Sequence, residues 1–183
     1  MDGGATLIQL RAKQASSSAF LADAEAILAR ASASGTRVII NDRADVARLS
    51  GAAGVHVGQD DLAPADVRAV VGPDLLIGLS THTMEQLSSA ASEPVDYLAI
   101  GPVFGTSTKD TGYYAVGLPM VSRAAELAAA AGRPVVAIGG ITLDTAASVI
   151  GAGAASVAVI ADLLVGNAPE ARVRAFLDRL SRV

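Results

Sequence analysis

The sequence predicts an α/β protein, a TIM-type (β/α)8 barrel with seven of its strands in view. Two observations carry that prediction. Short apolar runs alternate with alanine-rich, helix-forming segments along the 183 residues, and repeated strand-helix units of this length mean a parallel sheet with right-handed crossovers. Polar residues also recur directly after nearly every apolar run. In a barrel, those strand ends share one face, and their loops converge on one site. An open doubly wound sheet would gather the polar residues at a single switch point, and no G-x-G-x-x-G follows the first run to support a dinucleotide fold.

Taken in order, the predicted strands are 6–10, 38–40, 54–57, 75–79, 97–100, 134–138 and 156–160, and the predicted helices are 18–33, 43–50, 64–71, 84–91, 119–131, 142–151 and 168–180. The first helix carries Phe20, Leu21, Ala24, Ile27, Leu28 and Ala31 at spacings of three and four, which is one face of a helix. Thr142 and Asp144 ahead of an apolar stretch read as a helix start, and Gly132 before Pro134 as a stop. Gln9, Arg11 and Lys13 follow the first run, Asn41 and Asp42 the second, Gln59, Asp60 and Asp61 the third. Ser80, Thr81 and His82 follow the fourth, a threonine-lysine loop the fifth, and Gly139-Gly140 the sixth. No linker or low-complexity tract interrupts the pattern, so residues 1–183 are expected to form a single domain.

Composition narrows the function. The chain is 51% hydrophobic but holds no run of 18 apolar residues, so a membrane protein is not expected. MDGGATLIQLR has no basic segment leading into an apolar one, hence no signal-peptide pattern, which points to the cytoplasm. The absence of cysteine removes disulfides, thiolate catalysis and cysteine metal sites together. A net charge of −4, with no tryptophan and few other aromatics, provides neither a basic footprint nor a stacking platform for nucleic acid. A small anionic substrate must then be held by locally placed Arg and Lys.

The stretch YLAIGPVFGTSTKD, residues 97–110, reads as a buried strand stopped by Gly-Pro and opening into a phosphate-binding loop. Thr106, Ser107 and Thr108 beside Lys109 offer several donors to one anion. Gln9, Arg11 and Lys13 alternate with Leu10 and Ala12, so in an extended segment they would project together into the barrel, where two cations must meet an anion. Asp42 and Asp61, at neighbouring strand ends, suit a hard cation such as Mg²⁺, which takes one or two carboxylates plus phosphate oxygens. Asp45 and Asp60 are further candidates, and helix N-capping is the competing role for Asp42 and Asp61. His56 lies within an apolar run and reads as a hydrogen-bonded core histidine; His82, in a polar loop, could contact a ligand. Gly139-Gly140 and the helix opening at Thr142 would offer a helix N-terminus to phosphate.

In this order and spacing, LIQLRAK, IINDRADVA, GVHVGQDDL, GLSTHT, YLAIGPVFGTSTK, PVVAIGGIT and GAASVAVI resemble the thiamine-phosphate synthase family along nearly the whole chain. That family is a (β/α)8 barrel joining hydroxymethylpyrimidine pyrophosphate to thiazole phosphate, so the resemblance implies a transferase of thiamine biosynthesis. It implies that Gln9, Arg11, Lys13 and Asn41 hold the pyrimidine pyrophosphate, that Asp42 and Asp61 bind Mg²⁺, and that Ser80 touches the pyrimidine. Lys109 would meet the departing pyrophosphate; Thr106, Thr108, Gly140 and the Ile160-Ala161 backbone would hold the thiazole phosphate. The implied reaction is dissociative, with Lys109, Arg11 and Lys13 as its charge-stabilising groups, and requires no nucleophile or general base. The chain departs from the family pattern in three places. GGATLIQLR corresponds to the family's second strand, which leaves an opened barrel whose edge would invite homodimerisation. Ala12 stands where the family often has glutamate, and Ala161 where it usually has serine. The alternatives are a thiazole tautomerase on the same fold and a barrel that binds thiamine precursors without turnover.

Overall fold

The computed structural model describes residues 1–105 and 112–183. Seven strands form one parallel sheet in the order of the chain: β1 (Leu7–Leu10), β2 (Arg37–Asn41), β3 (Gly54–Val57), β4 (Leu76–Thr81), β5 (Tyr97–Ile100), β6 (Val135–Ile138) and β7 (Ser156–Ala158). Between them run α1 (Ser17–Ser32), α2 (Ala44–Ser50), α3 (Pro64–Val71), α4 (Met84–Ala90), α5 (Gly117–Ala130) and α6 (Leu143–Gly151), and α7 (Pro169–Leu180) follows the last strand. The sheet is open, with β1 and β7 at its two ends. Among the described residues, no helix is long and apolar enough to cross a membrane.

β3, β5 and α3 match their predicted bounds to the residue, and the other predicted elements differ by a few residues at their ends. A 3₁₀ segment over Ala161–Asn167, interrupted at Val165 and Gly166, is an addition. Local chemistry explains the helix starts. The Ser16 hydroxyl accepts from Ala19 N–H ahead of α1, the Thr83 hydroxyl from Gln86 N–H ahead of α4, and Pro64 and Pro169 open α3 and α7. Thr142 is the cap of α6, as predicted.

The alternation of each strand divides the sheet into two faces. Val38, Ile40, Val55, Val57, Ile77, Leu79, Leu98 and Ile100 pack with Phe20, Ala24, Val46, Val67 and Leu87 of the helices in one apolar cluster. Each fully buried Val, Leu or Ile there contributes about 1.5–3 kcal/mol of transfer free energy. Parallel register carries the opposite face from strand to strand: Gln9 lies opposite Ile39, and Asn41, His56, Gly78 and Tyr97 form one continuous rung. Ser80 lies two residues beyond Gly78, on that same face.

Candidate active site

The C-terminal ends of β2 and β3 bring three charged side chains together. The Lys13 ammonium lies 2.9 Å from Asp42 Oδ2, and the Asp42 and Asp61 carboxyls are within hydrogen-bonding reach of each other. β1 ends at Leu10, so the inward alternation expected from Gln9 through Lys13 stops at Gln9. Lys13 lies instead in a turn closed by Ala15 N–H donating to Ala12 O at 3.1 Å, and reaches Asp42 from there. Arg11 and Gln9 are exposed at the same strand end.

Asp42 is held in an unusual backbone. Its φ is 63°, and Arg43 N–H donates to Asn41 O at 2.8 Å across it, a three-residue turn of the strained, positive-φ kind. The competing capping role fails for both aspartates. The residue at the cap of α2 is Arg43 and that of α3 is Ala63, neither with a side-chain cap. Asp61 Oδ2 instead accepts the Gly58 N–H at 2.7 Å. Asp45 pairs with Arg43 and so is engaged outside the pair; Asp60 is exposed.

The two carboxyls are driven apart electrostatically. Partial burial works against the Asp42 charge, yet hydrogen bonds from Lys13, Asp61 and Asn41 outweigh it and hold the carboxyl below its usual range. Partial burial pushes the Asp61 carboxyl up, and adjacent Asp42 pushes it further, against the opposing Gly58 N–H and Lys13 charge. A raised Asp61 favours folding below its ordinary pKa and loses that contribution as pH rises through the raised value. A lowered Asp42 does the reverse, losing its contribution as pH falls through the lowered value. In metal-free protein, Asp61→Asn should therefore gain stability relative to wild type between pH 4 and pH 7, by about 0.5 kcal/mol after solvent screening. Urea unfolding with chelator at the two pH values checks this, and a relative loss on raising the pH would refute the repulsion.

These donors fit a hard divalent cation. Two facing carboxylates beside a lysine already attract positive charge, and among the described residues no cluster of three or more His, Asp or Glu could enclose a metal alone. The remaining coordination would come from substrate oxygens and water, the pattern Mg²⁺ prefers.

Deeper on the same face, Ser80 Oγ lies 2.8 Å from His56 Nε2, and His56 Nδ1 lies 2.9 Å from Tyr97 Oη, with the two rings stacked at 5.5 Å. Gln59 Nε2 donates to the Ser80 carbonyl at 2.6 Å. His56 is buried, as expected of a core histidine, but its partner is a predicted site residue. The signal for this was Gly78 within a strand. A glycine there leaves room for side chains on the flanking strands to meet. His82 stacks on Tyr113 at 4.0 Å, and Tyr113 accepts from Gln86 Nε2 at 3.1 Å.

On the other side of the barrel, the loop after β5 is joined by backbone to the end of β6. Val103 N–H donates to Ile138 O at 2.9 Å, and Phe104 N–H to Gly139 O at 3.0 Å. Gly140 has φ of 64°, and a Cβ there would lie 2.5 Å from Gly105 O, so only glycine fits. The expected phosphate-binding helix end is already engaged: Thr142 N–H donates to Thr145 Oγ1 at 3.0 Å, and Leu143 N–H to Asp162 Oδ2 at 3.1 Å. Asp162 in turn is held by Arg172 at 2.8 Å. An anion here would meet the loop at Gly140 rather than the first turn of α6. Ile160 and Ala161 are exposed at the start of the 3₁₀ segment. Thr106, Thr108 and Lys109 lie outside the described residues. Among the described residues, a cleft of about 300 Å³ between α6 and α7 touches no predicted site residue, whereas one of about 210 Å³ between α3 and α4 is bordered by Asp61.

The family model for thiamine monophosphate synthase matches residues 1–163. The thiamine-phosphate synthase of Koribacter versatilis is 49% identical over 178 residues, covering 97% of this chain and 82% of that protein. That of Roseiflexus castenholzii is 45% identical over 177 residues, covering 96% of this chain and 76% of its own. The solved thiamine phosphate pyrophosphorylase from Pyrococcus furiosus superposes with a TM-score of 0.90 at 28% identity, covering 99% of this chain and 85% of that one. With the family model, the curated relatives and the fold agreeing over this length, the chain belongs to the thiamine monophosphate synthase family of transferases.

Proposed function

We propose that this enzyme joins 4-amino-5-hydroxymethyl-2-methylpyrimidine pyrophosphate to thiazole phosphate, giving thiamine phosphate and pyrophosphate. The observation that carries the reading is the Lys13, Asp42 and Asp61 cluster at the strand ends. Such a group of charges suits a substrate with a large anionic leaving group. Gln9, Arg11, Lys13 and Asn41 hold the pyrimidine pyrophosphate, Ser80 meets the ring, and Lys109 meets the leaving group. Thr106, Thr108, Gly140 and the Ile160-Ala161 backbone hold the thiazole phosphate.

In this reading the bond between the methylene carbon and the pyrophosphate oxygen breaks first, both electrons leaving with the oxygen. The pyrimidinylmethyl cation that remains is attacked by the lone pair of the thiazole nitrogen. No proton moves, which accords with a site built of anion holders rather than a nucleophile and base. Asp42 and Asp61 would hold Mg²⁺, which supplies charge neutralisation to the pyrophosphate when bound. Arg11, Lys13 and Lys109 oppose the same charge as it grows. Because Lys109 acts on departure, Lys109→Ala should lower kcat about 10²–10³-fold while leaving the KM for thiazole phosphate within about twofold; an unchanged kcat would remove it from that role.

The test of the reaction is one incubation of both substrates with enzyme and Mg²⁺, following thiamine phosphate and pyrophosphate together. Equal amounts of both are expected. A tautomerase would alter the thiazole and release no pyrophosphate, and a binding-only barrel would yield neither product.

A further inference from the structure

Gly78 is central to a side-chain arrangement that the reaction itself does not explain. Within the rung His56, Gly78, Tyr97 the middle strand has no side chain, so the imidazole and the phenol of the two outer strands close over it and touch. His56 then bridges two hydroxyls, Tyr97 Oη at 2.9 Å through Nδ1 and Ser80 Oγ at 2.8 Å through Nε2.

The direction of these hydrogen bonds follows from which proton needs an acceptor. Burial pushes the Tyr97 phenol above its ordinary range, so it keeps its proton. A buried O–H left without an acceptor is costly, and the acceptor within reach of Tyr97 is His56 Nδ1. The phenol therefore donates to Nδ1. That leaves the imidazole hydrogen on Nε2, which donates to the Ser80 oxygen.

We infer that Tyr97 and His56 are positioning residues that fix the Ser80 hydroxyl as a hydrogen-bond donor toward the substrate, so that it selects an unprotonated heteroaromatic ring nitrogen over an amino group. With its oxygen accepting from His56, Ser80 has its own hydrogen left to give. Its backbone is held in place by Gln59, which donates to the Ser80 carbonyl at 2.6 Å. The inference rests on the proposed contact of Ser80 with the pyrimidine.

The test uses the full chain labelled with ¹⁵N-histidine. The chain has two histidines, and His56→Gln assigns their signals. Long-range ¹H–¹⁵N spectra report which ring nitrogen carries hydrogen, and the expected state of His56 is Nε2–H. Tyr97→Phe removes the donor to Nδ1 and one oxygen only. It should shift His56 toward a mixture of tautomers and raise the KM for the pyrimidine pyrophosphate about tenfold, with the KM for thiazole phosphate unchanged. A pyrimidine analogue whose ring nitrogen is replaced by CH should bind wild type about tenfold more weakly and Ser80→Ala no more weakly than the parent substrate. Finding His56 as Nδ1–H overturns the inference by itself. Finding Nε2–H with pyrimidine KM unmoved in both Tyr97→Phe and Ser80→Ala overturns instead the assignment of Ser80 to the pyrimidine, and the selectivity built on it.

Discussion

Asp42→Asn should lower kcat about 10²–10³-fold at saturating substrates and shift the Mg²⁺ requirement to higher concentration. Asparagine is the informative replacement because Asp42 sits at φ 63°, a backbone that asparagine tolerates better than other residues with a side chain. The turn after β2 should survive while the charge is lost. Two consequences follow from the geometry. Lys13 loses the carboxylate 2.9 Å away that holds it at the strand end, and Asp61 loses the neighbour that raises its pKa. A variant melting within a few degrees of wild type, yet turning over slowly, places the loss in the chemistry. A rate within tenfold of wild type would remove Asp42 from the group that meets the leaving pyrophosphate.

Gly78→Ala should cost about 3 kcal/mol, lowering the melting midpoint by about 6–12 °C for a chain of this size. A Cβ at this position would run into Tyr97 Cζ and Oη and His56 Nδ1 at once. The Tyr97 atoms are the tip of its side chain, but that ring is stacked on and hydrogen-bonded to His56, so it cannot swing away without breaking both contacts. Both rings sit on neighbouring strands of the sheet, so the clash must be relieved by parting β3, β4 and β5 or by breaking the His56–Tyr97 contact. The matched control is Gly151→Ala at the end of α6, where a Cβ meets nothing within 4 Å. That change should be neutral or stabilising by up to about 1 kcal/mol. Differential scanning calorimetry on the two variants checks the pair, and equal midpoints would mean the rung is looser than its distances imply.

The sequence made the architecture legible because strand and helix periodicities alternate cleanly and polar residues mark the strand ends. Asp42, Asp61 and Lys13 could be named from residue type and position for the same reason. Their mutual arrangement could not. Alternation places Lys13 in an extended, inward-facing segment, but β1 ends at Leu10 and a turn carries the lysine to Asp42. Composition cannot reveal where a strand stops when the residues beyond it still alternate. Sequence offers the N-terminus of α6 to phosphate, but Asp162, distant in sequence, accepts from the Leu143 N–H there. His56 is the buried, hydrogen-bonded histidine that its place in an apolar run predicts. Its link to Ser80 depends on register across three strands, which no local pattern encodes.

The most direct measurement is the initial rate of thiamine phosphate formation by the purified 183-residue chain while Mg²⁺ is removed and restored. Product should accumulate with Mg²⁺, cease when EDTA is added, and resume in proportion to the ion returned, with pyrophosphate released in equal amount. A rate that persists undiminished in EDTA would contradict the account, because the facing carboxylates of Asp42 and Asp61 would then have no cation to hold against the leaving group.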